Sequence, residues 1–320
     1  VKIEIPKKHI IPTPENRAEL VDMIKYGLLQ TSDQFTAGLR QDQALVSRYL
    51  LEKNTSALPI AVSYLFFNSM GLAINSVLGG DASGWEKISA AYSEMYWAWE
   101  VQQHDSVREG ISFDFPTQCE ISQVIVHSLS LLSGSPDISK WSAAFLKNLI
   151  KMGGAAELSY SDESFPNFYL YLLDCQLENS FRSPAEPKTY GGYYPLINAL
   201  SRREMFSDAL CAYCDFRLAR AFQYGEMGAK KPRSKNDFMY LYERHWLAIL
   251  PFEIYALQSI YQNITGSNLS LDVEHPLLAT PFACPPRIHL IETKLSQEIF
   301  RCGSDCFGSA WKPLNEIALI

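Results

Sequence analysis

The sequence lacks the glycine-rich signatures of phosphate and acyl chemistry: neither G-x-G-x-x-G, nor G-x-x-x-x-G-K-[ST], nor the nucleophile elbow G-x-S-x-G occurs. The glycine pairs Gly79-Gly80, Gly153-Gly154 and Gly191-Gly192 lack the strand-then-helix setting that turns amide hydrogens toward a phosphate. Metal signatures are missing too. His9, His104, His127, His245, His275 and His289 form no H-E-x-x-H, no E-x-x-H and no pair at i, i+4. His127 lies in the apolar run Val124 to Leu132, and His245 stands beside Trp246; both read as hydrogen-bonded core histidines.

Positive charge is in short supply. Lys and Arg total 28 against 35 Asp and Glu, giving a net charge of −7 and a pI near 5.5. A general nucleic-acid or anionic-membrane binder needs a basic footprint, so neither is expected as a partner, and a basic protein suits this chain better. A disulfide framework is also missing, because seven cysteines form an odd, irregularly spaced set in a long chain. Cys211-Ala-Tyr-Cys214 has no strand before it and falls inside an expected helix, which argues against thioredoxin-like chemistry. A four-sulfur zinc site joining it to Cys302 and Cys306 would need a looser second pair than usual, so these are read as buried structural thiols. No metal and no cofactor are expected.

No run qualifies cleanly as a membrane span. Ala57 to Gly80 is the longest weakly charged stretch, but Pro59, Asn68, Gly71 and Asn75 make it read as a buried helix. Val1 to Pro12 carries Lys2, Glu4, Lys7 and Lys8 among its apolar residues and does not read as a signal h-region; the chain does not begin with Met, which leaves a removed segment open, and a cytoplasmic location is expected. Period-two alternation is confined to Val1 to Ile5, and no repeat of fixed length is present.

What remains is an ordinary globular composition, 47% hydrophobic and 12% aromatic, whose apolar residues recur at helical spacing. The expected fold is all-α: an irregular multi-helix bundle or helical-hairpin array, with at most one short N-terminal strand. Residues 1–320 are expected to form a single domain, 280–320 being an irregular extension. Ser83 and Glu86 have capping-box spacing, and Trp85, Ile88, Tyr92, Met95 or Tyr96, and Trp99 follow on one stripe, predicting a helix to about His104. Thr13-Pro14, Pro116 and Pro136 open further helices, the last two over 116–133 and 136–152. Met205 to Tyr224 gives another, ended by Gly225, and Leu250 to Ile264 a central one, ended by Gly266. Glu178 to Pro195, rich in Pro, Gly and Tyr, is expected to be a long surface loop.

Charge is regional: 81–186 holds 15 acids and 6 bases, whereas 187–245 holds 10 bases and 6 acids. A solvated helix face explains such a bias, as does a cationic partner. Carboxylates are plentiful and aromatic runs such as Tyr92, Tyr96, Trp97 and Trp99 could line a sugar cleft, so an all-helical carbohydrate-active enzyme with a carboxylate pair stands as the alternative function. At helical spacing such aromatics are more often core.

The stretch Arg244-His-Trp-Leu-Ala-Ile-Leu-Pro251, the helix to Gly266, and the return Asn268-Leu-Ser-Leu-Asp-Val-Glu-His-Pro-Leu-Leu278 resemble the carboxy-terminal end of the immunity protein forty-nine family of bacterial polymorphic toxin systems. In that family a Leu-Pro opens a leucine-rich helix, a glycine ends it, and an apolar strand-like return leads to a proline and paired leucines. Glu109-Gly-Ile-Ser-Phe113, the helix ending at Gly134 and the helix around Phe206 to Phe222 occupy similar places, so the pattern spans roughly 85 to 280. The resemblance implies a non-catalytic cytoplasmic immunity protein that binds and occludes a cognate toxin domain. Many such toxins attack nucleic acid and present a basic face, which an acidic patch would steer toward itself. The expected partner-binding surface is the acidic, tyrosine-bearing stretch with Glu157, Tyr160, Asp162, Glu163, Glu186, Tyr190, Tyr193 and Tyr194, since tyrosine anchors inside a polar rim are typical of hot spots. The competing reading has Tyr193 and Tyr194 open the next helix and pack beneath it. The basic stretch Lys230 to Lys235 is the second candidate surface.

Overall fold

The computed structural model describes residues 11–108, 121–150, 164–184, 186–200, 205–227 and 245–313. It is all-α, with no strand among the described residues. The helices are α1 (Arg17–Gln30), α2 (Ser32–Leu51), α3 (Leu58–Leu78), α4 (Ser83–Arg108), α5 (Ile121–Ser133), α6 (Pro136–Leu149) and α7 (Ser164–Glu178). They continue with the short α8 (Pro187–Tyr190), α9 (Tyr194–Ala199), α10 (Phe206–Met227), α11 (His245–Ile249), α12 (Phe252–Thr265) and α13 (Lys294–Phe307). The expected strand at Val1 to Ile5 and the helix start at Pro116 lie outside the described residues.

The chain divides into two compact units. The amino-half unit is Leu29–Ser142 with Pro286–Ile320; the carboxy-half unit is Val1–Leu28 with Ala143–Pro285. Within the tail expected to be irregular, the described residues include a regular helix. This is α13, opened by a reciprocal capping box in which the Thr293 hydroxyl accepts from the Ser296 amide and Ser296 Oγ accepts from the Thr293 amide. Ile299 and Cys302 on α13 are buried in the amino-half core, and Phe300 meets the edge of Trp97 at 5.1 Å. Two orphan amides satisfied at one end and an apolar stripe along one side explain why a segment after three prolines still folds.

The amino-half core is a stack of α2, α3 and α4. α3 is long and apolar enough by composition to cross a bilayer, yet two-thirds of its apolar window is buried inside the protein. Its inner residues, among them Val62, Phe66, Met70 and Ile74, are almost wholly excluded from solvent. α4 packs closest, since an added Cβ at Gly84 would lie 2.7 Å from the Ala73 carbonyl and 2.5 Å from Val77 Cγ2. The start of α4 departs from the expected capping box. Asp81 is the cap: its carboxylate accepts from the Ser83 amide at 2.9 Å and the Ser83 hydroxyl at 2.7 Å, because a side chain just upstream reaches the orphan amides more directly. The expected stripe also widens. From Met95 to Val101 every residue of α4 is buried, including Trp97 and Trp99, so this stretch is surrounded, whereas the first turns keep an exposed face with Glu86 and Lys87.

The carboxy-half unit is organised by α10 and α12. α12 begins after Pro251, whose missing amide hydrogen costs nothing there, and ends at Gly266 in the left-handed conformation (φ 67°). Its residues Phe252 to Leu257 are all buried, as expected for a central helix. α10 passes through Gly225 to Met227, so that glycine does not end it. Within 178–195, the expected loop is partly replaced by helical turns, because Pro187 and Pro195 occupy first-turn positions of α8 and α9.

Candidate functional site

A cleft of about 550 Å³ opens in the amino-half unit, within the size range of small-molecule sites. It follows from helical periodicity. Leu39, Gln43, Val46 and Ser47 recur at spacings of three and four along α2, as do Leu65, Ser69 and Leu72 along α3. Lys87, Ala90, Ala91 and Glu94 supply the α4 wall, and Thr293, Lys294, Leu295 and Glu298 at the start of α13 close it. The small Ala90, Ala91 and Ser69 leave the space that bulkier neighbours fill elsewhere.

The polar feature inside is Glu94. The Thr293 hydroxyl donates to its Oε1 at 3.0 Å, and that is its sole partner among the described residues. Burial pushes the Glu94 carboxyl up to about 7, opposed by the Thr293 hydrogen bond. The cleft's two lysines are directed elsewhere. Lys87 Nζ is held by Ser76 Oγ at 3.0 Å and by Asp81 at 3.5 Å, while the exposed Lys294 stands 3.8 Å from Glu298. Glu94 and Glu298 are both in the wall, but the lining carries no aromatic residue. The tryptophans that might have faced a sugar, Trp97 and Trp99, are core.

Two further acids of α4 point inward, while Glu86 in its first turn is exposed. Glu100 accepts from Tyr96 Oη at 2.6 Å, and Asp105 accepts from Thr55 at 2.6 Å and Ser56 at 3.0 Å. Part of the acidity of 81–186 therefore serves internal hydrogen bonds instead of a surface. In the carboxy-half unit, Asp174 is bound by Lys147 at 2.6 Å and Arg182 at 3.0 Å, and Arg182 also holds Glu178.

The expected partner-binding residues separate. Glu157, Tyr160, Asp162 and Glu163, like the basic stretch 230–235, lie outside the described residues. Glu186 is exposed and paired with Lys188 at 2.9 Å. Tyr190 and Tyr193 are buried and correct the expectation: only 7% and 2% of each is accessible. Tyr193 stacks on Phe168 with centroids 4.5 Å apart, and Tyr190 meets Tyr171 edge-on. Tyr194 is half-buried as the first residue of α9. Beside Tyr193, Gly192 lies so close to Phe216 that a Cβ would approach the ring to 2.5 Å, and Tyr193 meets the same ring edge-on at 5.2 Å.

Two further polar clusters sit in the carboxy-half unit. Arg17 clasps Asp215 with Nε at 2.7 Å and Nη2 at 2.6 Å, and His275 Nε2 lies 3.2 Å from the same carboxylate. His275 Nδ1 accepts from the Leu277 amide, so Nε2 carries the proton it donates to Asp215 and both ring nitrogens are occupied. Cys214, on the same helix as Asp215, is buried, which pushes its thiol up to about 12 and keeps it protonated. Among the described residues no three His, Cys, Asp or Glu side chains gather as metal ligands. The second cluster is the buried pair of Arg217 and Glu253, with Arg217 Nη1 also donating to Tyr213 Oη at 3.0 Å and Nη2 to the Leu250 carbonyl at 2.9 Å.

Sequence reasoning passed over Glu94. Its signal was an acid set among Ala91, Tyr92 and Met95, where a solvated helix face should not fall. A comparison with protein-family models finds no match for this chain, and comparisons with curated proteins and with solved structures find none.

Proposed function

We propose that this protein acts by stoichiometric binding, as a helical immunity protein that occludes a cognate toxin domain, the toxin being basic and directed at nucleic acid. The observation that carries the reading is the layout of 250–278. A Leu-Pro opens α12, Gly266 ends it in the left-handed conformation, and the return from Leu269 to His275 alternates between inward and exposed residues before Pro276 and the buried Leu277. This order is similar to that of the immunity protein forty-nine family. The net charge of −7 supports a basic partner, since complementary charge accelerates encounter and competes with a phosphate substrate.

The contact surface in this reading is led by charge: Glu157, Asp162, Glu163 and Glu186 remain its residues, and the buried tyrosines leave it. The cytoplasm is where such a protein would meet its toxin. Co-expression with the terminal domain of a multidomain toxin encoded beside this chain tests the proposal. Rescue of growth, weakened by reversing Asp162, Glu163 and Glu186 to lysine with the larger loss at low salt, is the expected result. Failure of the unaltered protein to rescue overturns it.

A further inference from the structure

We propose that the cleft of the amino-half unit is a binding site for a small amphipathic amine, its ammonium group seated on Glu94 and its hydrocarbon body against the aliphatic walls. The inference stands on the geometry of the cleft and is independent of the toxin-binding proposal. Leu39, Val46, Leu65, Leu72 and Leu295 give the cleft of about 550 Å³ its apolar walls; of its two carboxyls, Glu298 stands against Lys294 and Glu94 does not face a cation among the described residues. That carboxyl is supported on one oxygen by the Thr293 hydroxyl and has no cation beside it among the described residues.

The charged groups lining the cleft have other partners. From α4 itself comes Lys87, tied to Asp81 and Ser76; from α13 come Lys294 and Glu298, set against each other; α2 and α3 contribute none. A carboxylate in apolar surroundings gains most from a cation that also donates hydrogen bonds. A ligand ammonium supplies both, whereas an alcohol supplies only the hydrogen bond and a carboxylic acid brings like charge. The apolar walls favour an alkyl or aryl body, because hydrocarbon removed from water there finds van der Waals partners.

Protonation adds a signature. Burial holds Glu94 near 7, so the form that binds ammonium grows as pH rises through neutrality, while an alkylamine stays protonated. Between pH 6 and pH 8 the affinity for n-hexylammonium should rise about tenfold by linkage. 1-Hexanol should bind more weakly with no such slope, and hexanoate should not bind.

The test is calorimetry on the full chain with these three probes at both pH values, repeated with Glu94→Gln. The amide keeps an acceptor for Thr293 and removes the charge, so hexylammonium should fall to the level of hexanol and lose its pH slope. Hexylammonium no tighter than hexanol at pH 8, an unchanged affinity in Glu94→Gln, or a flat pH profile in the unaltered protein would each overturn the proposal. If Glu94→Gln does not fold, Ser69→Leu fills the cleft from α3 and leaves Glu94 in place. Loss of hexylammonium binding there supports the site, and retention places the amine elsewhere and sinks it.

Discussion

Arg217 of α10 and Glu253 of α12 form an ion pair whose two side chains are wholly excluded from solvent. The guanidinium also donates to the carbonyls of Leu247 and Leu250 and lies 5.6 Å from the centre of the Phe252 ring. One side chain from α10 thereby fixes the end of α11, the Leu-Pro turn and the first turn of α12. Attraction inside an apolar core is offset by the loss of hydration of both charges, so the pair matters less for net stability than for leaving neither charge alone.

Arg217→Leu should accordingly destabilise the protein by about 3–5 kcal/mol, because Glu253 is left buried without its cation. The double variant Arg217→Met with Glu253→Leu should recover much of that loss. Urea unfolding of the three proteins, followed by circular dichroism, measures both.

Glu94 gives stability a pH dependence of unusual sign. Its carboxyl titrates near 4.5 when unfolded and near 7 when folded, so between those values the folded state holds a proton that the unfolded state has released. Stability from this group falls as pH rises from 4.5 to 7 and is level beyond. Glu94→Gln should remove that decline and be at least as stable as the unaltered protein at pH 8, as read from denaturant midpoints.

His275 acts in the opposite direction. Burial draws its pKa below the usual 6.5, against the pull of its Asp215 hydrogen bond, so the unfolded state takes the proton first. Its contribution is fully present above 6.5 and is lost as pH falls below that value toward the depressed folded one. Thermal unfolding of His275→Gln should show a shallower loss between pH 6.5 and 5 than the unaltered protein.

Leu257 is completely buried at the middle of α12. Leu257→Asp would bury a charge with no partner there, and the expected outcome is loss of the folded protein on expression. Leu257→Met, of similar volume, should cost less than about 1.5 kcal/mol and serves as the control.

At Gly84 the first turn of α4 lies against the backbone of α3. Gly84→Ala should cost roughly 1–3 kcal/mol, since the neighbouring atom is a main-chain carbonyl that cannot turn aside. Gly80, also glycine but with open space around its Cβ position, has φ 83° instead, so a substitution there strains only the backbone. Comparing Tm for the two alanine variants separates crowding from conformation.

The sequence by itself determined the class of fold and most of its helices, because the spacing of apolar residues and the placement of Pro136, Pro251 and Gly266 act over a few residues and need no distant partner. It also exposed the largely buried character of α3 and of the first half of α12, since apolar residues there run on with few polar ones between them. Other features depended on contacts far apart in the chain. Packing against Trp97 made 294–307 a core helix, and ring contacts with Phe168 and Tyr171 placed Tyr193 and Tyr190 inside. Glu94 and Glu253 look alike in sequence, as single acids among apolar residues. Only tertiary structure gave one an arginine, tying it into the core, and gave the other a threonine hydroxyl and an open cleft. Burial makes a carboxyl expensive in either place, but what stands opposite it is set by helices brought together from nearly two hundred residues away, as Thr293 is to Glu94.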